Sequence, residues 1–130
     1  MIARLGKVTN VYPAEGKVKV LYEDEKNTSL PLSMLSMNGE YSMPEVGERV
    51  LTLHMANGSS KGFVLGTYYG GSKKPAANSG YRKDLGGGAY VACQGGEYLI
   101  HAPNITLSCS AGTITVAELL RRLETLESKL

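Results

Sequence analysis

Residues 17–22 set the terms for the rest of the chain: Val18, Val20 and Tyr22 fall on one side, Lys17, Lys19 and Leu21 on the other. A period of two marks a strand with one buried face. The same texture recurs over residues 2–11, 48–55 and 61–69, and glycine, 16 of the 130 residues, punctuates the runs. Short alternating runs closed by glycine make the chain mainly β. Ala14-Glu15-Gly16, with Pro13 ahead of it, forms a tight hairpin turn between the first two runs. Residues 23–27 form a polar loop. Residues 28–32 form a short third strand, in which Pro31 marks an edge or a bulge. Residues 33–45 are irregular. The alternation over 48–55 sends Val50 and Leu51 to Leu53 toward a core. Asn57-Gly58 is the strongest turn dipeptide in the chain and makes a hairpin of the last two runs. Five short strands in this arrangement suit a closed barrel of the OB type over residues 1–69.

Beyond the barrel the texture changes. Residues 70–80 hold three Gly, one Pro and two Lys and read as a linker. Residues 89–94 and 97–101 flank Gly95-Gly96 as a hairpin. Ile105, Leu107 and Cys109 then alternate with Thr106, Ser108 and Ser110. Ser110-Ala111-Gly112 turns into a last short strand over 113–115. These strands are too few, and too poor in large apolar residues, to fold alone. Identical strands from neighbouring subunits are the simplest source of partners. A helix over 116–130 ends the chain. Thr115 and Glu118 fit a capping box at its start. Val116, Leu119, Leu123, Leu126 and Leu130 fall at the a and d positions of a heptad repeat and are the candidate oligomerisation residues. Glu118, Arg121, Arg122, Glu124, Glu127 and Lys129 take the other face, which is expected to be exposed. A helix of about 15 residues is marginal alone, so its leucine stripe needs a surface to cover it. A parallel coiled coil and a fold back onto the β-segment are both open.

Composition narrows the function classes. The balance of 14 basic and 12 acidic residues gives a formal charge of +2, which argues neither for nucleic acid nor for an anionic membrane. No apolar run approaches the roughly 20 residues of a membrane helix, and residues 1–5 lack a signal-peptide core. A soluble, cytoplasmically made chain without stable membrane insertion is expected. Cys93 and Cys109 are too few for a disulfide framework and are expected to be buried thiols. His54, out of phase with Leu51, Leu53 and Met55, is expected to face solvent, as is His101. Two isolated histidines do not make a zinc site. Glu23, Asp24 and Glu25 read as a solvated loop rather than an acid–base pair. Ser59-Ser60 and Ser108 lack a nucleophile context, and Gly86-Gly87-Gly88 lacks the residues of a phosphate loop. No catalytic, cofactor or metal residue is expected, and the chain is read as not an enzyme. A competing class is an OB-fold nucleic-acid-binding protein, with Tyr12, Tyr22, Tyr68, Tyr69 and Phe63 as candidate stacking platforms. The charge balance counts against it.

Several segments taken in order resemble the baseplate assembly protein V family, the central spikes of contractile phage tails, and the related spikes of type VI secretion. Gly6-Lys7-Val8 followed by residues 16–20 is similar to the family's first two barrel strands. Residues 41–50, with Pro44-Glu45-Val46-Gly47-Glu48-Arg49-Val50, resemble its turn-and-strand signature. Residues 62–68, Gly-Phe-Val-Leu-Gly-Thr-Tyr, resemble the strand that closes its barrel. Tyr81-Arg82-Lys83 and residues 98–109 resemble its short β-prism. Gly47 is expected to permit a tight turn into a strand, and Gly66 a close backbone approach. The resemblance, which runs to about Thr115, implies a homotrimer with a trimeric β-prism or β-helix segment over 81–115; the 116–130 helix, read from its own heptad spacing as a trimeric coiled coil, is expected to close it. It also implies tail hub and baseplate proteins as partners, a possible separate tip protein, and a place in a virion baseplate or phage-tail-like particle assembled in the bacterial cytoplasm. No lysozyme insertion and no His-x-His pair are present. Neither a cell-wall hydrolase nor an iron-tipped point is therefore carried over.

Overall fold

The computed structural model describes residues 1–56 and 61–130. The Asn57-Gly58 turn and Ser59-Ser60 lie outside the described residues. The chain divides into two compact units, Met1–Lys74 and Pro75–Leu130.

The first unit holds β1 (Ile2–Tyr12), β2 (Lys17–Tyr22), β3 (Asn27–Thr28), β4 (Leu32–Met34), β5 (Arg49–His54) and β6 (Gly62–Thr67). Pairing runs β1-β5-β6-β4-β2, and β2 returns to β1, so five strands close into an OB-like barrel. Only the β4–β6 pair in that ring is parallel. Closure falls to β1, which serves two neighbours in succession. Ile2 to Lys7 pair with β5, and Lys7 to Tyr12 pair with β2, with a register shift between Val8 and Asn10. The shift bends the strand from one partner to the other. Val8, Val18, Val20, Tyr22, Leu32, Val50 and Val64 fill the interior. Burying each such side chain contributes on the order of 1.5–3 kcal/mol.

Several expectations shift in register. The third strand splits into β3 and β4 around Leu30 and Pro31, because Pro31 has no N–H to give a ladder. Ser29 bridges the break: its N–H donates to the Val20 carbonyl at 2.8 Å, and its hydroxyl accepts from the Val20 N–H at 3.0 Å. In β5, Val50, Thr52 and His54 point inward, whereas Leu51 and Leu53 are only half-buried. The expected close approach at Gly66 is absent, since a Cβ there would meet nothing within 4 Å. Gly66 instead lies beside the register shift between Leu51 and Thr52. The close approach falls at Gly6, where β1 changes partners. A Cβ on Gly6 would sit 2.7 Å from the Leu21 carbonyl oxygen and 3.0 Å from the Tyr22 ring. Gly47 meets its expectation: its φ is 95°, and its N–H donates to the Val8 carbonyl at 2.8 Å.

The predicted linker straddles the boundary between the units. Gly70 and Lys73 exchange backbone hydrogen bonds at 3.2 and 3.0 Å, and the Lys73 ammonium pairs with Glu48 of the barrel. The second unit begins with the meander β7 (Tyr81–Gly86), β8 (Ala89–Gln94) and β9 (Glu97–His101). Gly95 and Gly96 join β8 to β9 with φ of 60° and 82°, the two positive angles that a two-residue type I′ turn requires. The hairpin of β10 (Thr106–Cys109) and β11 (Gly112–Thr115) follows and runs directly into α1 (Val116–Ser128). The helix thus stops short of Leu130, with Lys129 at its C-cap.

Gly6→Ala is expected to destabilise the barrel by about 1–3 kcal/mol, because the clashing oxygen belongs to the backbone and cannot swing away. Gly70→Ala, where a Cβ meets only the Tyr68 ring at 3.4 Å, should stay within about 0.5 kcal/mol of the parent. Urea unfolding of both variants checks the pair.

Candidate functional site

The barrel carries one buried polar cluster, built from inward positions of β2 and β5. The Tyr22 hydroxyl lies 2.9 Å from Thr52 Oγ1 and 2.6 Å from His54 Nε2. Thr52 also donates to the Arg4 carbonyl at 3.3 Å, and the Arg4 guanidinium stacks 3.7 Å above the Tyr22 ring. His54 is therefore buried, 8% exposed, and not the solvent-facing residue expected. The physical reason is Tyr22: a phenol buried on β2 needs a polar partner across the barrel, and β5 supplies two. Burial pushes the Tyr22 phenol above its ordinary value of 10.0, while the Thr52 hydrogen bond and Arg4 work in the opposite sense. A cleft of about 360 Å³ opens beside the cluster, lined by Ile2, Arg4, Leu32 and Ala56 among others. No buried side-chain polar atom among the described residues lacks a hydrogen-bond partner. The cluster is thus satisfied internally and holds β2 to β5.

The acidic loop is paired rather than simply solvated. Arg4 meets Asp24 at 3.5 Å and Glu25 at 3.2 Å, and Lys7 meets Glu23 at 3.1 Å. These exposed pairs each contribute at most about 1 kcal/mol. Glu48 is better placed, accepting from the Glu45 N–H at 2.8 Å as well as from Lys73. Burial alone would raise its carboxyl, but the Glu45 amide and Lys73 together outweigh that and hold it below the ordinary 4.5. Of the candidate stacking residues, Tyr22 is buried and cannot meet a base, Tyr12 and Tyr68 are half-buried, and Phe63 and Tyr69 are exposed. No group of three metal-ligating side chains occurs among the described residues. No helix among them is long and apolar enough to cross a membrane.

The second unit presents the opposite situation: no residue from 75 to 130 is buried within one chain. In the β7–β9 sheet, cross-strand partners place Tyr81, Cys93 and Tyr98 on one face together with Lys83, Val91 and Ile100. Tyr98 and Ile100 remain 63% and 55% exposed. The other face carries a ladder of stacked side chains but is also open to solvent. Arg82 stacks 3.7 Å over Tyr90, whose ring lies 5.0 Å from that of His101. This ladder depends on a three-strand register that alternation alone does not supply, which is why the sequence reading passed over it. His101 is exposed as expected, whereas Cys93 and Cys109 are exposed rather than buried. The unit has no interior of its own in which to hold two thiols.

Four of the five candidate oligomerisation residues, Val116, Leu119, Leu123 and Leu126, share one side of α1. Val116 is half-buried at its start, and Leu119, Leu123 and Leu126 are 38%, 47% and 61% exposed. Leu130 lies past the last turn and is fully exposed. The stripe does not fold back, since α1 has no buried residue. Leu120, missed because it lies off the a and d positions, is 55% exposed and widens the apolar face. Thr115 caps the helix, its hydroxyl accepting from the Glu118 N–H at 3.1 Å. The Glu118 carboxylate takes Arg121 and Arg122 instead of completing a capping box. A groove of about 690 Å³ between hairpin and helix is lined by Leu107, Ile114, Glu118 and Arg122, among others. Arg122 is exposed as expected and also borders this groove. No protein-family profile matches the chain, and no curated protein matches it.

Alkaline and acid limbs of the barrel's stability should have separate owners. Tyr22 is neutral when protonated and its value is raised on folding, so its contribution is intact below about pH 10 and is lost as pH rises through the raised value. Tyr22→Phe should flatten that alkaline loss and cost about 1–3 kcal/mol at neutral pH, because Thr52 and His54 lose their shared partner. Glu48 is lowered on folding, so its contribution is intact above about 4.5 and fades as pH falls. Glu48→Gln should flatten the acid limb. Unfolding midpoints measured across pH for the three proteins check both assignments.

Proposed function

We propose that the chain is a structural subunit, the central spike of a contractile phage tail or a related injection particle, acting as a homotrimer without enzymatic activity. One observation carries the trimer: an ordered segment over residues 75–130 leaves every residue at least partly exposed in a single chain. Its β9 is exposed on both faces, and its helix presents a continuous leucine stripe. Copies of the same segment would cover these surfaces, the apolar sheet faces and stripes meeting around a shared axis. The OB-like barrel, which has its own core, would then serve as the base that docks on a ring-shaped hub. The order of family-like segments along the sequence supports the tail spike over other trimeric β-proteins. The action is mechanical: a symmetric plug that closes the tube and leads it on contraction.

Light scattering of the purified chain should give about three times 13.9 kDa. A monomer at micromolar concentration would overturn the reading. In the trimer, Leu123→Ala with Leu126→Ala removes two layers of the seam in every copy. Each truncation costs roughly 2–5 kcal/mol where the leucine is well buried, so the double variant should melt at a distinctly lower temperature. Removal of residues 116–130 should act in the same direction. An unchanged melting temperature with retained trimer mass would mean that the β-segments alone hold the copies together.

A further inference from the structure

We infer that three copies of α1 pack as a parallel, in-register coiled coil in which Arg122 of one chain pairs with Glu127 of the next. The inference rests on the trimeric reading above and adds orientation, register and a specific contact between chains.

With Val116, Leu123 and Leu130 at a, and Leu119 and Leu126 at d, the residues flanking the seam are fixed. Arg122 and Lys129 fall at g, and Leu120 and Glu127 at e. In parallel helices in register, a g residue faces the e residue five positions further along the neighbouring chain, and these flanking charges set partner and orientation. Arg122 therefore meets Glu127, an opposite pair. In an antiparallel arrangement g faces g, which sets Arg122 against Lys129, two like charges. A slip of one heptad moves Glu127 away from Arg122 and leaves two apolar layers unpaired at each end, Val116 and Leu119 at one and Leu126 and Leu130 at the other.

The fold supports the same orientation independently. β11 ends at Thr115 and α1 begins at Val116, with no residue between them. The Val116 N–H also donates to the Ile105 carbonyl at 2.9 Å, tying the first turn to the start of the hairpin. Three hairpins related by a threefold axis would therefore launch three helices at one level and in one direction. Within a single chain, Arg122 Nε reaches Glu118 Oε1 at 3.0 Å, sharing that carboxylate with Arg121, while the Glu127 side chain has no partner among the described residues. Glu118 keeps Arg121 when Arg122 turns to the neighbouring chain. Residues 122 and 127 are five apart and cannot meet on one helix, so any coupling between them reports a contact between chains. Leu120 at e widens the apolar face beyond a two-helix seam, which suits three helices.

The test is a charge-swap cycle on the full chain. Arg122→Glu and Glu127→Arg should each lower the melting temperature, and the double variant should regain about half or more of the combined loss. Arg122→Glu also places two carboxylates at positions 118 and 122, a penalty the double variant retains, so recovery cannot arise within one helix. The two single variants, denatured and refolded together, should form mixed trimers in preference to unmixed ones, as native mass spectrometry would show. Additive losses in the cycle, or a statistical distribution on mixing, would overturn the inference. Where a single variant fails to assemble alone, the mixing experiment still decides. If parent and variants alike are monomers by light scattering, the trimer itself is wrong. If all are trimers and the charges do not couple, only the register and orientation assigned here fail.

Discussion

Ordering a chain costs about 1–2 kcal/mol of backbone entropy per residue, and the two units meet that cost in different ways. The barrel meets it internally, with seven apolar side chains closed off by a ring of strands. The segment from 75 to 130 forms well-defined strands and a capped helix but encloses nothing. Its hydrogen bonds alone are worth little against water, and a three-stranded sheet gains independent stability only when one face is covered. The apolar face with Tyr98 and Ile100, the exposed Leu107 and the helical stripe all ask for the same remedy. The remaining features of the second unit follow from that deficit, including its exposed cysteines and its open groove.

The barrel shows how a small closed sheet manages its crowded points. β1 must leave β5 and join β2 within a few residues, and the backbones approach most closely at Gly6. Directly beside that crossing, the buried Tyr22 ring brings a hydroxyl into the core. Thr52 and His54 answer it, and Arg4 covers the ring from outside. Packing and polarity are solved together, and the cluster is part of how the barrel closes.

Much of this was legible from alternation. Val18, Val20 and Tyr22 announced the inner face of β2, and Gly95-Gly96 announced a hairpin at its observed position. What failed was phase and context. Nothing local in Leu51-Thr52-Leu53-His54 says that the threonine and histidine turn inward, because the reason is a tyrosine thirty-two residues earlier. Gly6 and Gly66 look alike in sequence, and only the path of β1 decides which one is crowded. The heptad stripe was plain, yet the role of Arg122 was not. Its place beside the stripe follows from the heptad spacing, but its pairing with Glu118 and its position on the groove needed the structure.

That direct connection carries the last step. A flexible joint between β11 and α1 would let each helix find its own partner and register, and the assembly would gain little rigidity from it. Here Thr115 ends the strand and caps the helix at once, and the Ile105 carbonyl holds the first turn. Whatever symmetry the hairpins adopt is passed to the helices without an intervening hinge. A helix only a few turns long is a weak clamp alone, but starting from a fixed origin removes most of the entropy of finding its partners. Under the proposed trimer, β-segment and helix therefore act as one stiff element, as a part loaded along its axis requires.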